Sequence, residues 1–252
     1  MTSMKDRIHK TKDLLGGYLC VIPSAVATQA LAAAGADFLV IDQEHAPTGA
    51  ENLHAMIAAT AGTPCSPWVR VAKRDEAYVK PALDVGAEGI IFPLVRTVAE
   101  AAECVALTRY PPRGRRGWGP FIAHSRWGVE LHDYLPKRGG ETLCGLLIET
   151  KDAVENIEDI CKVEGIDYMI VATFDLSTEL GVPGKFDAPI LLDAVKRVEQ
   201  AVLKAGIALG AAALTREQTE GNLRRGHRIL VYGFDVLILK QHVRQAMEWA
   251  RV

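Results

Sequence analysis

Short apolar runs, bracketed by glycine on one side and by polar or charged residues on the other, recur along the whole chain. Three repeat one phrase: Ala34-Gly35-Ala36-Asp37 before Phe38-Leu39-Val40-Ile41, Val85-Gly86-Ala87-Glu88 before Gly89-Ile90-Ile91-Phe92, and Glu164-Gly165-Ile166-Asp167 before Tyr168-Met169-Ile170-Val171. In each, the glycine can end a helix in a left-handed turn, and a β-rich run then starts a strand. Helix starts are signalled by Thr48-x-x-Glu51, Thr97-x-x-Glu100 and Thr215-x-x-Gln218, where a hydroxyl and a carboxylate or amide satisfy orphan N–H groups of a first turn. The pattern predicts strands near 17–22, 37–42, 68–71, 89–93, 143–149, 168–172, 207–212 and 229–233. Their apolar residues are continuous rather than alternating, which implies burial on both faces. Eight such strands alternating with helices in 252 residues predict a single-domain α/β chain, a closed (β/α)8 TIM barrel over 1–252 rather than an open doubly wound sheet.

One connection is out of scale. About 50 residues separate the fourth and fifth strands, where βα loops run ~2 to 6. Residues 98–108 read as helix, and the Pro- and Gly-rich remainder, Arg109 to Gly119 and then Phe121 to Trp127, is expected as a long loop on the catalytic face, serving as a lid or a subunit contact.

Composition narrows the partners. Hydrophobic residues make up 49% and aromatics only 6%, the balance of a large aliphatic α/β core. The formal net charge of -2 gives no field for nucleic acid or an anionic membrane. Cys20, Cys65, Cys104, Cys144 and Cys161 are scattered and form no C-x-x-C pair, so they read as reduced thiols. The charged amino terminus lacks the apolar stretch of a signal peptide, and no run reaches the ~18 to 20 apolar residues of a membrane span. A cytoplasmic protein is expected.

The chemical signal is a set of charges at the carboxyl ends of apolar strands, where α/β barrels place their active sites. Asp42 ends the second strand with Glu44 and His45 just beyond, Arg70 lies in the third, Glu149 ends the fifth, and Asp175 follows the sixth. Such charges are costly to bury unless paired or liganded. Glu149 and Asp175, on adjacent strands, suit an octahedral Mg²⁺ or Mn²⁺ that keeps waters and accepts a bidentate 2-oxo acid. A Lewis acid there stabilises the enolate formed when a C–C bond beside the carbonyl breaks, and Arg70 adds charge at the same oxygen. His45 is the natural acid or base, with Asp42 fixing its tautomer. Each residue also has a plainer role open to it: Asp175 as a helix cap, Arg70 in a structural ion pair, His45 as a solvent-exposed side chain. No H-E-x-x-H, G-x-S-x-G or Walker motif occurs, which removes a zinc hydrolase, a serine hydrolase and a P-loop enzyme. The last two strands end in Ala211-Ala212-Ala213-Leu214 and Tyr232-Gly233-Phe234-Asp235 rather than glycine-rich loops, so a phosphate handle is not expected.

The run Phe38-Leu39-Val40-Ile41-Asp42-Gln43-Glu44-His45-Ala46-Pro47 resembles the signature of the HpcH/HpaI family, metal-dependent class II pyruvate aldolases acting on hydroxy-oxo-dioic acids. The likeness continues through Val69-Arg70-Val71, Leu83-Asp84-Val85-Gly86-Ala87, Arg109-Tyr110-Pro111-Pro112 with Gly114, Arg116 and Gly117, Ser125-Arg126-Trp127, Ile148-Glu149-Thr150, Val163 to Asp167 and Asp175-Leu176-Ser177. It implies a (β/α)8 barrel whose last helix is exchanged between subunits of a homohexamer, a trimer of dimers. It further implies Glu149 and Asp175 on the divalent metal (Mg²⁺ or Mn²⁺, with Co²⁺ a further option), Arg70 on the pyruvyl oxygen, His45 with Asp42 in proton transfer, and Asp84 reaching a neighbouring subunit's site. The implied partners are a small 2-oxo acid and an aldehyde. Departures fall around the substrate: Ala172-Thr173 where Gly-Pro is common, Leu19 where many members have Trp, and Leu147 where Gln is frequent. They predict a more apolar pocket. The implied reaction is retro-aldol cleavage of a 4-hydroxy-2-oxo acid. A decarboxylase or C–C bond-forming synthase would use the same enolate, and a catalytically silent oxo-acid-binding barrel is the alternative outside enzymes.

Overall fold

A computed structural model of the protein describes residues 3–11 and 13–249. The strands are β1 Leu15–Cys20, β2 Phe38–Asp42, β3 Ser66–Arg70, β4 Gly89–Phe92, β5 Leu143–Ile148, β6 Tyr168–Val171, β7 Ala208–Ala212 and β8 Ile229–Phe234. All neighbours are parallel, and β8 returns to β1, so the sheet is a closed barrel in sequence order. Every predicted strand is present, displaced by at most a few residues, because runs apolar on both faces fit only a sheet sandwiched between a packed interior and a helical shell. No helix among the described residues is long and apolar enough to cross a membrane.

Two cores result. The outer one packs Leu39, Ile41, Val69, Ile90, Leu146, Ile148, Met169 and Leu209 against the helices. The inner one fills the amino-terminal half of the barrel with Leu15, Phe38, Trp68, Leu143 and Tyr168. Phe38 stacks on Trp68 at 4.1 Å and Trp68 on Tyr168 at 4.6 Å between ring centroids. Gly145 on β5 makes room for this stack: a Cβ there would collide with the Tyr168 ring. Met4 and Ile8 of the first helix, Met4–His9, join the same cluster. Arg109, Lys5 and His9 meet at Asp167, tying that helix to the strand bottoms. Above the aromatic layer the inward residues are smaller, and the barrel opens.

The helix starts test the capping signals one by one. Thr97 forms the full reciprocal box with Glu100, and Thr215 accepts from the Gln218 N–H. Thr48 does not cap. The helix Ala50–Ala58 begins one residue later, at Gly49, without a side-chain cap, and the Thr48 hydroxyl is buried without a partner.

The long connection also differs from expectation. It follows the helix Val98–Thr108, which has already carried the chain back to the amino-terminal face, and it stays there. Arg109 bonds the carbonyls of Thr142 and Gly165, and Arg138 pairs with Glu88, all just ahead of strands. Residues 109–142 therefore brace the face opposite the chemistry. On the catalytic side only residues 93–97 link β4 to its helix.

The last helix, Asp235–Trp249, is anchored at its start, where Asp235 accepts the N–H groups of Val21 and Ile22. Beyond that, Leu239, Val243 and Met247, spaced four apart on one face, are exposed.

Candidate active site

The charged strand ends converge at the carboxyl face. Asp42, at the end of β2, is 0% exposed. Its neighbour across the sheet is Arg70 of β3, and the guanidinium makes two bonds to it, Nε to Oδ1 at 2.8 Å and Nη2 to Oδ2 at 2.8 Å. Burial alone would make Arg70 easier to deprotonate, but the bonds and charge of Asp42 outweigh it and its pKa is raised. Such a planar, two-point pair fixes the guanidinium as a rigid cation.

Asp42 also accepts the N–H groups of Glu44, at 3.0 Å, and His45, at 3.3 Å. Its oxygens are thus committed to Arg70 and to the backbone of the turn. This corrects the expectation that Asp42 orients the His45 ring. The imidazole faces Glu44, with Nε2 to Oε2 at 3.7 Å, and its side chain is 65% exposed at the mouth. Glu44 Oε2 also lies 3.3 Å from Arg70 Nε. Burial raises the Glu44 pKa, with Arg70 opposing.

Glu149 follows β5 and is 3% exposed. Burial, the largest cause, pushes its carboxyl up to about 7; a Leu94 N–H bond at 2.6 Å opposes this, while Glu44 and Asp175 push further up. Leu94 makes that bond from the left-handed region, φ 53°, among the described residues the one non-glycine there. A leucine held in that conformation is strained, and such strain gathers at functional sites. Asp175 is not a cap. Ala172 holds that position without a side-chain bond, and Asp175 sits in the first turn of the helix Thr173–Glu179, exposed toward the mouth.

Among the described residues no three His, Cys, Asp or Glu side chains form a ready-made metal cluster. Asp175 and Glu44 do add negative charge beside Glu149, and Gln43 Oε1 and Glu44 Oε2 are buried without hydrogen-bond partners. This excess of oxygen acceptors fits a hard divalent cation that takes two carboxylates and keeps waters.

A cavity of about 300 Å³ opens beside these groups. Arg70, Leu19, Leu147, Ala172, Thr173 and Asp175 all line it, so the expected substrate-facing positions share one wall. The remaining lining is mainly aliphatic, from Val40, Ile91, Ile170 and Val231, with Leu214 and Phe234 at the rim. Asp84 is elsewhere. It ends the helix Glu76–Asp84 at the amino-terminal face and pairs with Arg116 at 3.3 Å.

Sequence reasoning noticed Glu44 but gave it no role, and it missed Leu94. Glu44 had a signal, since its neighbours in the turn were already assigned. Leu94 had none, because nothing in Phe92-Pro93-Leu94-Val95 dictates a positive φ.

Comparison with known proteins gives a consistent picture. A family model described as HpcH/HpaI aldolase/citrate lyase matches residues 20–241. A hydroxypyruvate/pyruvate aldolase of Chromohalobacter salexigens is 35% identical over 216 residues, 85% of each chain. A 4-hydroxy-2-oxo-heptane-1,7-dioate aldolase of Escherichia coli is 33% identical over 219 residues, 86% of this chain and 83% of that one. The crystal structure of an HpcH/HpaI aldolase/citrate lyase family protein from Burkholderia cenocepacia superposes with a TM-score of 0.92 at 32% identity, covering 100% of both chains.

Proposed function

We infer the reaction from one premise: this chain belongs to the HpcH/HpaI aldolase/citrate lyase family and is an aldolase-type lyase. The reading is cleavage of a 4-hydroxy-2-oxo acid into pyruvate, or a related 2-oxo acid, and an aldehyde, with the reverse addition at the same site. The observation that carries it is Arg70, locked by Asp42 and presented to an aliphatic cavity with Glu149 and Asp175 at neighbouring strand ends.

Cleavage breaks C3–C4. The C4 hydroxyl gives up its proton, the C3–C4 electron pair becomes the C2–C3 double bond, and the former keto oxygen takes the negative charge. Arg70 meets that charge with a cation that needs no reorganisation, because Asp42 already holds it. His45, at the mouth, passes protons between substrate and solvent, and a proton returned to C3 gives pyruvate. A divalent ion held by Glu149 and Asp175, Mg²⁺ or Mn²⁺ with Co²⁺ as a further option, would supply Lewis-acid polarisation of the substrate's carboxylate and keto oxygens.

Leu19, Leu147 and Ala172 support an acceptor or donor more apolar than a dioic acid, since the lining beyond Arg70, Thr173 and Asp175 is apolar and leaves a second carboxylate unsatisfied. The exposed stripe Leu239, Val243 and Met247 supports exchange of the last helix in a hexamer, and the position of Asp84, far from its own chain's mouth, supports a role at a neighbour's site. The setting proposed is the cytoplasm.

The test is pyruvate release from oxaloacetate and from a 4-hydroxy-2-oxo acid, with and without chelator. Release is expected to stop on chelation and return with Mg²⁺ or Mn²⁺. Pyruvate formation unchanged by chelator would sink the metal-assisted reading.

A further inference from the structure

We propose that Arg116 is the positioning residue that aims Asp84 at the site of a neighbouring subunit. The inference rests on the reading above in that it takes Asp84 as serving a neighbour's His45 site; what it adds is the device that holds the carboxylate in place. Asp84 cannot serve the histidine of its own chain, because it ends its helix at the amino-terminal face while His45 follows β2 at the carboxyl face. Among the described residues its salt-bridge partner is Arg116, with Nη2 3.3 Å from Oδ1.

The hold comes from one side only. The Arg116 side chain is 1% exposed. Its guanidinium lies over the Tyr110 ring at 4.5 Å, Nη1 donates to the Thr142 hydroxyl at 3.4 Å, and Nε is buried without a partner. A guanidinium walled in this way cannot follow its counter-ion, so the carboxylate must come to it. The segment that carries it is pressed onto the end of the Asp84 helix. The Arg116 N–H bonds the Arg109 carbonyl at 2.9 Å, and a Cβ at Gly119 would lie 2.8 Å from Asp84 Oδ2. Asp84 thus has one oxygen on Arg116, while Oδ2 takes no hydrogen bond from the described residues. The Asp42–Arg70 pair is closed differently, with two bonds of 2.8 Å that commit both oxygens. A single long contact steers the Asp84 carboxylate and leaves its second oxygen for a donor from another chain. Burial raises the Asp84 pKa and Arg116 opposes that rise, so the same contact favours the ionised form. Arg116 acts through Asp84, and it therefore shapes turnover in the neighbour rather than substrate affinity in its own barrel.

The experiment mixes chains within the Mg²⁺-loaded, full-length assembly. His45→Ala keeps an Asp84 to supply, Asp84→Asn keeps a histidine to be served, and each alone is expected to exchange the pyruvate methyl protons slowly in D₂O, followed by NMR. Co-expressed with different tags and purified through both, the pair should recover activity, since about a quarter of the sites then join an intact His45 to a neighbour's intact Asp84. Arg116→Met, which keeps an unbranched stem and removes the charge, is then added to one chain at a time. On the His45→Ala chain it is expected to lower the recovered kcat by about 10- to 100-fold and to leave KM for pyruvate within about twofold. On the Asp84→Asn chain, where no carboxylate remains to be aimed, the same change is expected to alter the recovered kcat by less than about twofold. Arg116→Lys on the His45→Ala chain is expected between these, because a single contact can also be made by an ammonium. An equal loss in both placements would assign Arg116 to the fold and overturn the proposal, as would the absence of loss in either. No recovery on mixing, or full activity of either single variant, would overturn the neighbour-site reading itself and the proposal with it.

Discussion

Replacing Glu149 by Gln removes a buried carboxyl that folding pushes toward neutrality. The rise from an ordinary 4.5 to about 7 corresponds to roughly 3 kcal/mol at about 1.36 kcal/mol per tenfold change in proton affinity. The sign is fixed by the direction. A folded carboxyl that holds its proton more tightly than the unfolded chain contributes stability fully present below about pH 4.5, and that contribution is lost as the pH climbs through about 7. In the metal-free wild type, ionising Glu149 beside Glu44 and Asp175 therefore works against the fold. The amide of Glu149→Gln cannot ionise, so the variant keeps its stability. Urea unfolding in the presence of chelator, followed by circular dichroism at about pH 5 and about pH 8.5, should give similar stabilities at the lower pH and a variant more stable by up to roughly 3 kcal/mol at the higher. Adding Mn²⁺ at the higher pH should reverse the order, because only the wild type gains a ligand. A difference between the two proteins that does not change with pH would refute the assignment of this burial penalty to Glu149.

Arg70→Ala should leave the Asp42 charge buried and unpaired at a cost of about 3 to 5 kcal/mol, visible as a lower urea midpoint, and Arg70→Lys should not restore it because one ammonium cannot match both oxygens. Leu147→Gln should shift kcat/KM toward hydroxylated or carboxylated aldehydes by about 10-fold relative to alkyl aldehydes, measured by paired aldol additions to pyruvate; an unchanged ratio would mean the acceptor lies away from β5. Trp68→Ala, which opens the aromatic layer between Phe38 and Tyr168, should cost about 3 to 5 kcal/mol in denaturant unfolding.

The strands were legible because each is apolar on both faces, a demand that only a sandwiched sheet makes. Thr97 and Thr48 show the limit of a local motif: both have the capping spacing, yet at Thr48 the chain delays the helix by one residue and the hydroxyl is buried. The face of the 109–142 segment was also readable, since a chain that has completed a helix after β4 must stand at the amino-terminal end; its length and richness in Pro and Gly drew attention to the wrong side. In the site, the ionisable set was visible from strand ends, but not its pairing. Asp42 and His45 are three apart, a spacing that suggests contact, yet the turn directs the aspartate onto backbone N–H groups and hands the ring to Glu44. The left-handed Leu94 depends on Glu149, some fifty residues away, and no local pattern encodes that.

The aromatic stack across the barrel has a kinetic consequence. Phe38, Trp68 and Tyr168, backed by Met4 and Ile8, stopper the amino-terminal end, so the cavity is a well with one opening. In a well, depth sets the order of traffic. With the oxo acid on Arg70 and the aldehyde nearer the rim, the aldehyde must leave first and enter second, and the oxo acid cannot escape beneath it. Product-inhibition patterns should then be those of an ordered sequence, written not into the reacting groups but into which end of the barrel was closed.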